Sequence, residues 1–125
     1  MTKKVNIMVI DDEEIMHSLF RDILQDEGYE VITVSCGIEA EKKAKETFFD
    51  IVFIDIHMPV MNGLETLRAI RQVSPETTFI MMDSYPDYLL AESVREGAIS
   101  CIHKPFDIEE VKSIIRKIIK KEKGE

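Results

Sequence analysis

Apolar residues along this chain fall into two patterns that alternate five times. The first is a short apolar run, seen at Val5–Ile10, Glu30–Ser35, Ile51–Asp55, Thr78–Met82 and Ile99–His103, and each predicts a strand. Three stretches, Val5–Ile10, Ile51–Ile54 and Phe79–Met82, are apolar almost throughout. A strand with one wet face alternates polar and apolar positions. Continuous runs instead suit central strands of a parallel sheet covered by helices on both faces.

The second pattern repeats every three to four residues, the period of a helix with one apolar face. The first helix is expected to put Ile15, Met16, Leu19, Phe20, Ile23 and Leu24 on one face and to stop at Gly28, a left-handed C-terminal residue. A second, weaker pattern uses Ile38, Ala40, Ala44 and Phe48. The third runs from about Leu64 to Gln72 and ends at Ser74-Pro75; the fourth runs from Tyr88 to Glu96 and ends at Gly97. The last carries Ile108, Val111, Ile114, Ile115, Ile118 and Ile119, with Asp107 as N-cap. Repeated strand–helix units imply right-handed crossovers and an α/β, doubly wound sheet. Without a linker, repeat or low-complexity segment, residues 1–125 read as one domain with a core of about 4–121, fraying after Lys121.

Composition narrows the function. The 125 residues are 45% apolar and 32% charged, as in an ordinary globular domain. With 24 acidic against 16 basic residues the net charge is -8, which argues against direct nucleic-acid binding, although Lys112 to Lys123 is locally rich in lysine. Cys36 and Cys101 form neither a disulfide framework nor a metal-ligand spacing and are read as reduced thiols. The apolar run after Lys3-Lys4 is too short for a signal peptide, and no run spans a bilayer. A cytoplasmic protein without membrane contact, monomeric or weakly dimeric, is expected.

In a doubly wound sheet the ligand site lies at the carboxyl ends of the central strands. The residues there are Asp11-Asp12, Asp55, Asp83-Ser84 and Lys104-Pro105. The acids from Asp11 to Glu14 stand where a dinucleotide-binding fold has a glycine-rich phosphate loop, and they would repel a phosphate. Carboxylates gathered from two strand ends suit a hard divalent cation, most simply Mg²⁺. Taken alone, Asp11 and Asp12 are better explained as acids that cap the first helix and complement its dipole. Asp55 is harder to dismiss, because it ends an apolar strand where an ionised carboxylate is costly unless paired or metal-bound. Lys104 is its evident partner. A structural Asp–Lys pair would account for those two residues, but not for the adjacent acidic pair.

Together these positions resemble the receiver domains of bacterial two-component systems, over essentially the whole chain. The resemblance rests on Asp11-Asp12, on Asp55 within Asp-Ile-His-Met-Pro-Val-Met-Asn-Gly, and on Lys104-Pro105-Phe106. It implies a flavodoxin-like five-stranded parallel sheet of order 2-1-3-4-5, with helices on both faces. It also implies that Asp55 accepts a phosphoryl group from a phosphohistidine of a sensor histidine kinase or histidine phosphotransfer protein. Asp12 and Asp55 would bind Mg²⁺ directly, Asp11 mostly through water, and the His57 backbone carbonyl would be a further ligand. Lys104 would pair with the phosphoryl oxygens, presented by a cis Lys104-Pro105 peptide. Gly63, after Asn62, would supply turn geometry that other residues resist. Such a domain is not an enzyme beyond self-catalysed phosphoryl acceptance and autodephosphorylation. No output domain is expected after Glu125, and the signal is expected to leave by contact with a downstream protein or by phosphoryl relay.

The chain departs from the family at two places. Asp83 stands where receivers carry Thr or Ser, adding negative charge where the phosphoryl group should land, and Ser84 is the candidate substitute hydroxyl. Cys101 replaces the aromatic residue three before the lysine, and the loop Ser84 to Asp87 is expected to be rebuilt. A pseudo-receiver, binding a partner without phosphorylation, is therefore the alternative. An aspartyl-phosphate phosphatase of the haloacid-dehalogenase kind is set aside: its second acid would be His57 here, and its nucleophile follows the first strand, not the third. The His57 side chain is expected at the pocket rim, His103 in a structural role, and His17 on the surface of the first helix.

Overall fold

The computed structural model describes residues 4–85, 87–122 and 124. Five strands alternate with five helices: β1 (Asn6–Ile10), α1 (Glu14–Asp26), β2 (Glu30–Val34), α2 (Gly37–Glu46), β3 (Ile51–Asp55), α3 (Gly63–Val73), β4 (Thr78–Asp83), α4 (Tyr88–Arg95), β5 (Ala98–His103) and α5 (Ile108–Glu122). The strands form one parallel sheet in the order β2-β1-β3-β4-β5, the expected doubly wound topology. Among the described residues no helix is long and apolar enough to cross a membrane. Of the tail expected to fray, Lys123 and Glu125 lie outside the described residues, as do Lys3 and, in the loop expected to be rebuilt, Pro86.

The continuous apolar runs are explained by two cores, one on each face of the sheet. Met8, Ile10, Val52, Ile54, Phe79 and Met81 pack against Ala40 and Ala44 of α2 and Leu67 and Ile70 of α3. Their chain neighbours Ile7, Val9, Ile51, Phe53, Ile80 and Met82 pack against Phe20 and Leu24 of α1 and Val111 and Ile115 of α5. Side chains alternate along a strand, so a strand buried on both faces must be apolar at every position. At about 1.5–3 kcal/mol for each fully buried aliphatic side chain, these two layers hold the sheet together.

Several expected positions are corrected. Ile15 is exposed and His17 buried. At 100° per residue Ile15 lies about 120° from the centre of the arc set by Met16, Phe20, Ile23 and Leu24, and His17 only about 80°. In α2 only the small Ala40 and Ala44 face the core; Ile38 points outward, and Phe48 lies beyond the helix end, with Phe49 taking the buried position. Ile108 is likewise partly exposed at the start of α5. Gly28 and Gly97 end α1 and α4 with φ of +86° and +122°, the left-handed conformation that favours glycine. Asp107 accepts from the Glu109 N–H at 2.8 Å, as an N-cap does.

Candidate functional site

Asp11, Asp12 and Asp55 come together at the carboxyl ends of β1 and β3, with one oxygen of each within 4.8 Å of the others. Asp11 is fully buried, Asp55 is 5% exposed, and Asp12 is open to solvent. Lys104, just past β5, reaches into the same place. Its Nζ donates to Asp11 Oδ2 at 2.7 Å and to Glu13 Oε1 at 3.2 Å, and lies 3.6 Å from Asp55 Oδ2. The Lys104-Pro105 peptide is cis.

The electrostatics follow from this crowding. Burial, and next the charge of Asp11, push the Asp55 carboxyl up to about 6, against the opposing pull of Lys104 and the His57 N–H. Burial works against the Lys104 charge too. Its bonds to Asp11 and Glu13 and the charges of Asp11 and Asp55 outweigh that, holding its pKa above the ordinary lysine value. The pocket thus has three clustered carboxylates and one lysine, an arrangement short of positive charge. A dication held by oxygen donors would correct that imbalance, and the residues fit Mg²⁺.

The backbone holds the cluster from below. Asn62 and Glu65 form a capping box at the start of α3, with side-chain-to-backbone bonds of 2.9 and 3.0 Å. The Gly63 N–H donates to Ile56 O at 2.8 Å. A Cβ on Gly63 would come within 2.5 Å of Asp55 O, so glycine is required there by close approach of two backbones. That corrects the expectation of a special turn conformation: Gly63 is the first residue of α3. The positive φ in this loop belongs instead to Val60, at 68°, an unusual conformation for a β-branched residue.

Two contributors were not singled out from sequence. Glu13 was read only as one of four acids. His17 was misplaced, yet its Nε2 lies 2.6 Å from Asp11 O and 3.1 Å from Val34 O. Carbonyl oxygens only accept, so Nε2 carries the hydrogen and ties the Asp11 loop to the end of β2. A histidine one position from an apolar stripe was the available signal.

His57, expected to point outward over the pocket rim, is half-buried, and its Nε2 is buried. Its backbone N–H points at Asp55 Oδ1 from 3.4 Å, and its ring stacks on Tyr85 with centroids 4.3 Å apart. Nε2 lies 3.2 Å from Asp87 Oδ2, but the approach is not aligned as a hydrogen bond. Ser84 is exposed. Asp83 is fully buried at the end of β4, and its Oδ1 accepts from Cys101 Sγ at 3.2 Å and pairs with His103 Nδ1 at 2.6 Å. The expectation that Asp83 bears on the phosphoryl position is therefore corrected. The carboxylate is held toward β5, and the charges acting on Asp55 are those of Asp11, Lys104 and Asp12. His103 has its structural partner here, although its ring is largely exposed. A groove of about 370 Å³ lined by Thr78, Ile99, Ile118, Lys121 and Glu122 lies at the opposite, amino edge of β4 and β5, away from the acids.

Comparison with known proteins agrees with this geometry. The family model of the response regulator receiver domain matches residues 7–116. The chain is 33% identical over 116 residues to the chemotaxis protein CheY of Thermotoga maritima, covering 91% of this chain and 97% of that one. It is 32% identical over 110 residues to the transcriptional regulatory protein ZraR of Klebsiella oxytoca, covering 87% of this chain but only 25% of that longer protein. A CheY-like receiver domain protein from Methanospirillum hungatei superimposes with a TM-score of 0.90 at 28% identity, covering 98% of this chain and all of that one. By sequence, fold and the arrangement of its acids and lysine, the chain belongs to the response-regulator receiver domains.

Proposed function

We propose that this receiver domain accepts a phosphoryl group on Asp55 from a phosphohistidine of a sensor histidine kinase or histidine phosphotransfer protein. The observation that carries this reading is the convergence of Asp11, Asp12 and Asp55 beside Lys104 Nζ. A carboxylate oxygen of Asp55 attacks phosphorus, the P–N bond breaks, and the imidazole nitrogen leaves with the bonding electrons. With a pKa of about 6, Asp55 is mostly ionised at neutral pH and competent to attack.

Mg²⁺, which receiver domains bind in general, would be held by Asp12, Asp55 and the His57 carbonyl, with Asp11 through water, and would offset charge on the phosphoryl oxygens. Lys104 neutralises the remaining charge and keeps Asp11 in place. The His57 N–H orients Asp55. Beyond acceptance and autodephosphorylation the domain performs no turnover, and it passes its signal in the cytoplasm by protein contact or relay.

The test is intact mass after incubation with Mg²⁺ and acetyl phosphate. One phosphoryl adduct is expected, absent in Asp55→Asn and in EDTA, and strongly reduced in Asp12→Ala. An adduct that survives Asp55→Asn sinks the assignment. No adduct with acetyl phosphate or any kinase favours the pseudo-receiver, the reading that the replacement of both switch positions by Asp83 and Cys101 supports.

A further inference from the structure

Side chains of types that can ligate a metal converge at a second place on the same edge of the sheet. Asp83, Cys101 and His103 bring a carboxylate oxygen, a sulfur and a ring nitrogen within 4.8 Å of one another. Strand register explains how. Asp83 lies opposite His103, and Met81 opposite Cys101, so all three side chains emerge on one face. An irregularity after Phe79 creates this register: Phe79 pairs with Ala98 but Ile80 with Ser100, so Ile99 is the extra residue. Without it Asp83 would face Ile102.

Asp83 is fully buried, and while its Oδ1 serves both Cys101 and His103, its Oδ2 is buried with no hydrogen-bond partner. Buried carboxylate oxygens are rarely left bare, because desolvation is then uncompensated. We propose that Asp83, Cys101 and His103 form a second metal site, selective for a borderline divalent transition cation such as Zn²⁺ or Co²⁺.

The donor set carries the selectivity. One thiolate, one imidazole and one carboxylate suit zinc-like ions and leave a fourth position for water, whereas Mg²⁺ requires hard oxygen ligands. Charge balance agrees, since a carboxylate and a thiolate together neutralise a dication. On binding, the sulfur–metal bond forms and the thiol proton leaves to solvent. The bond between His103 Nδ1–H and Asp83 Oδ1 breaks, and the ring hydrogen is carried on Nε2 instead, so that Nδ1 can donate its lone pair. The largely exposed His103 ring allows that change of tautomer. The site would also bear on its neighbour, because the Lys104 N–H donates to Asp83 O at 2.6 Å. The inference does not depend on phosphorylation of Asp55.

Its test is titration of the untagged, reduced protein with Co²⁺ in saturating Mg²⁺, which occupies the oxygen-donor pocket. One Co²⁺ per chain is expected, with near-ultraviolet thiolate-to-cobalt charge-transfer absorption. Zn²⁺ should abolish that absorption by displacing the cobalt. The band should vanish in Cys101→Ser and persist in Cys36→Ser. His103→Gln should weaken binding by at least about tenfold, no less than the loss of an outer-shell partner costs. Circular dichroism and melting of each variant establish that it is folded. An absent band in folded wild type, or a band that survives Cys101→Ser or is lost in Cys36→Ser, overturns the proposal. The cluster is then only a hydrogen-bonded link between β4 and β5.

Discussion

Asp55 and Asp83 end neighbouring strands of one sheet, and both are buried, yet they keep different company. Asp55 lies 3.6 Å from a lysine ammonium and shares its surroundings with Asp11 and the solvent-exposed Asp12. Asp83 meets a thiol and an imidazole and has one oxygen without a hydrogen-bond partner. The register of β3 with β4 sets Asp55 opposite Met82, so Asp83, one residue on, belongs to the other face of the sheet. β5 then supplies Cys101 and His103 to Asp83, while Lys104, just past its end, reaches Asp55. The same residue type is committed to hard-cation chemistry in one place and to borderline-metal chemistry in the other by which side chains from other strand ends reach it.

The comparison can be tested first by removing the cation on one side only. Lys104→Met leaves Asp11, fully buried, with its ion pair broken. A loss of about 3–5 kcal/mol in unfolding free energy is expected without metal, partly restored by Mg²⁺. Asp83→Asn, which removes a charge without stranding a buried lysine, should cost clearly less. Urea denaturation of both variants decides the matter; equal losses would mean that the two carboxylates are equivalent.

A second prediction concerns pH. The folded pKa of Asp55, about 6, lies above its ordinary value of 3.8, so the folded state holds this proton more tightly than the unfolded chain does. Stability from this group is full below about pH 4 and is lost as pH rises through about 6. At roughly 1.4 kcal/mol per pH unit the metal-free protein loses up to about 3 kcal/mol. Asp55→Asn in EDTA should therefore be more stable than wild type at pH 8, with the gain shrinking toward pH 4. An unchanged difference across that range would show that burial and the charge of Asp11 do not raise the Asp55 pKa in the folded state.

The smallest effect should come from His17, which braces the Asp11 loop and does not touch the Asp83 cluster. His17→Leu leaves the Asp11 and Val34 carbonyls without that donor, at a cost of about 1–2 kcal/mol. The rise in melting temperature with Mg²⁺ should weaken while Co²⁺ binding stays as in wild type. If both responses change together, the two sites are not independent.

Much of this was legible in the residues, because burial on both faces demands apolar runs and strand ends carry the chemistry. Asp11, Asp12, Asp55 and Lys104 were found that way. The errors fall where helical wheels have edges. Ile15 and His17 flank the same stripe, and which of them turns inward depends on what β1 and β2 present. Gly63 was attributed to turn geometry, whereas its reason is the 2.5 Å approach that a Cβ would make to Asp55 O, a distance between segments that local patterning does not encode.

By itself the sequence determined the alternation of strands and helices, the parallel sheet, and the carboxylates that meet Lys104 at its edge. Those follow from period and position, which are local. The direction of the Asp83 carboxylate, the burial of His17 and the meeting of Asp83, Cys101 and His103 were decided only in the tertiary structure. For His17 the physical reason is contact with the carbonyls of Asp11 and Val34. For the Asp83 cluster it is register, because one extra residue, Ile99, in the pairing of β4 with β5 shifts every later side chain of β5 to the opposite face.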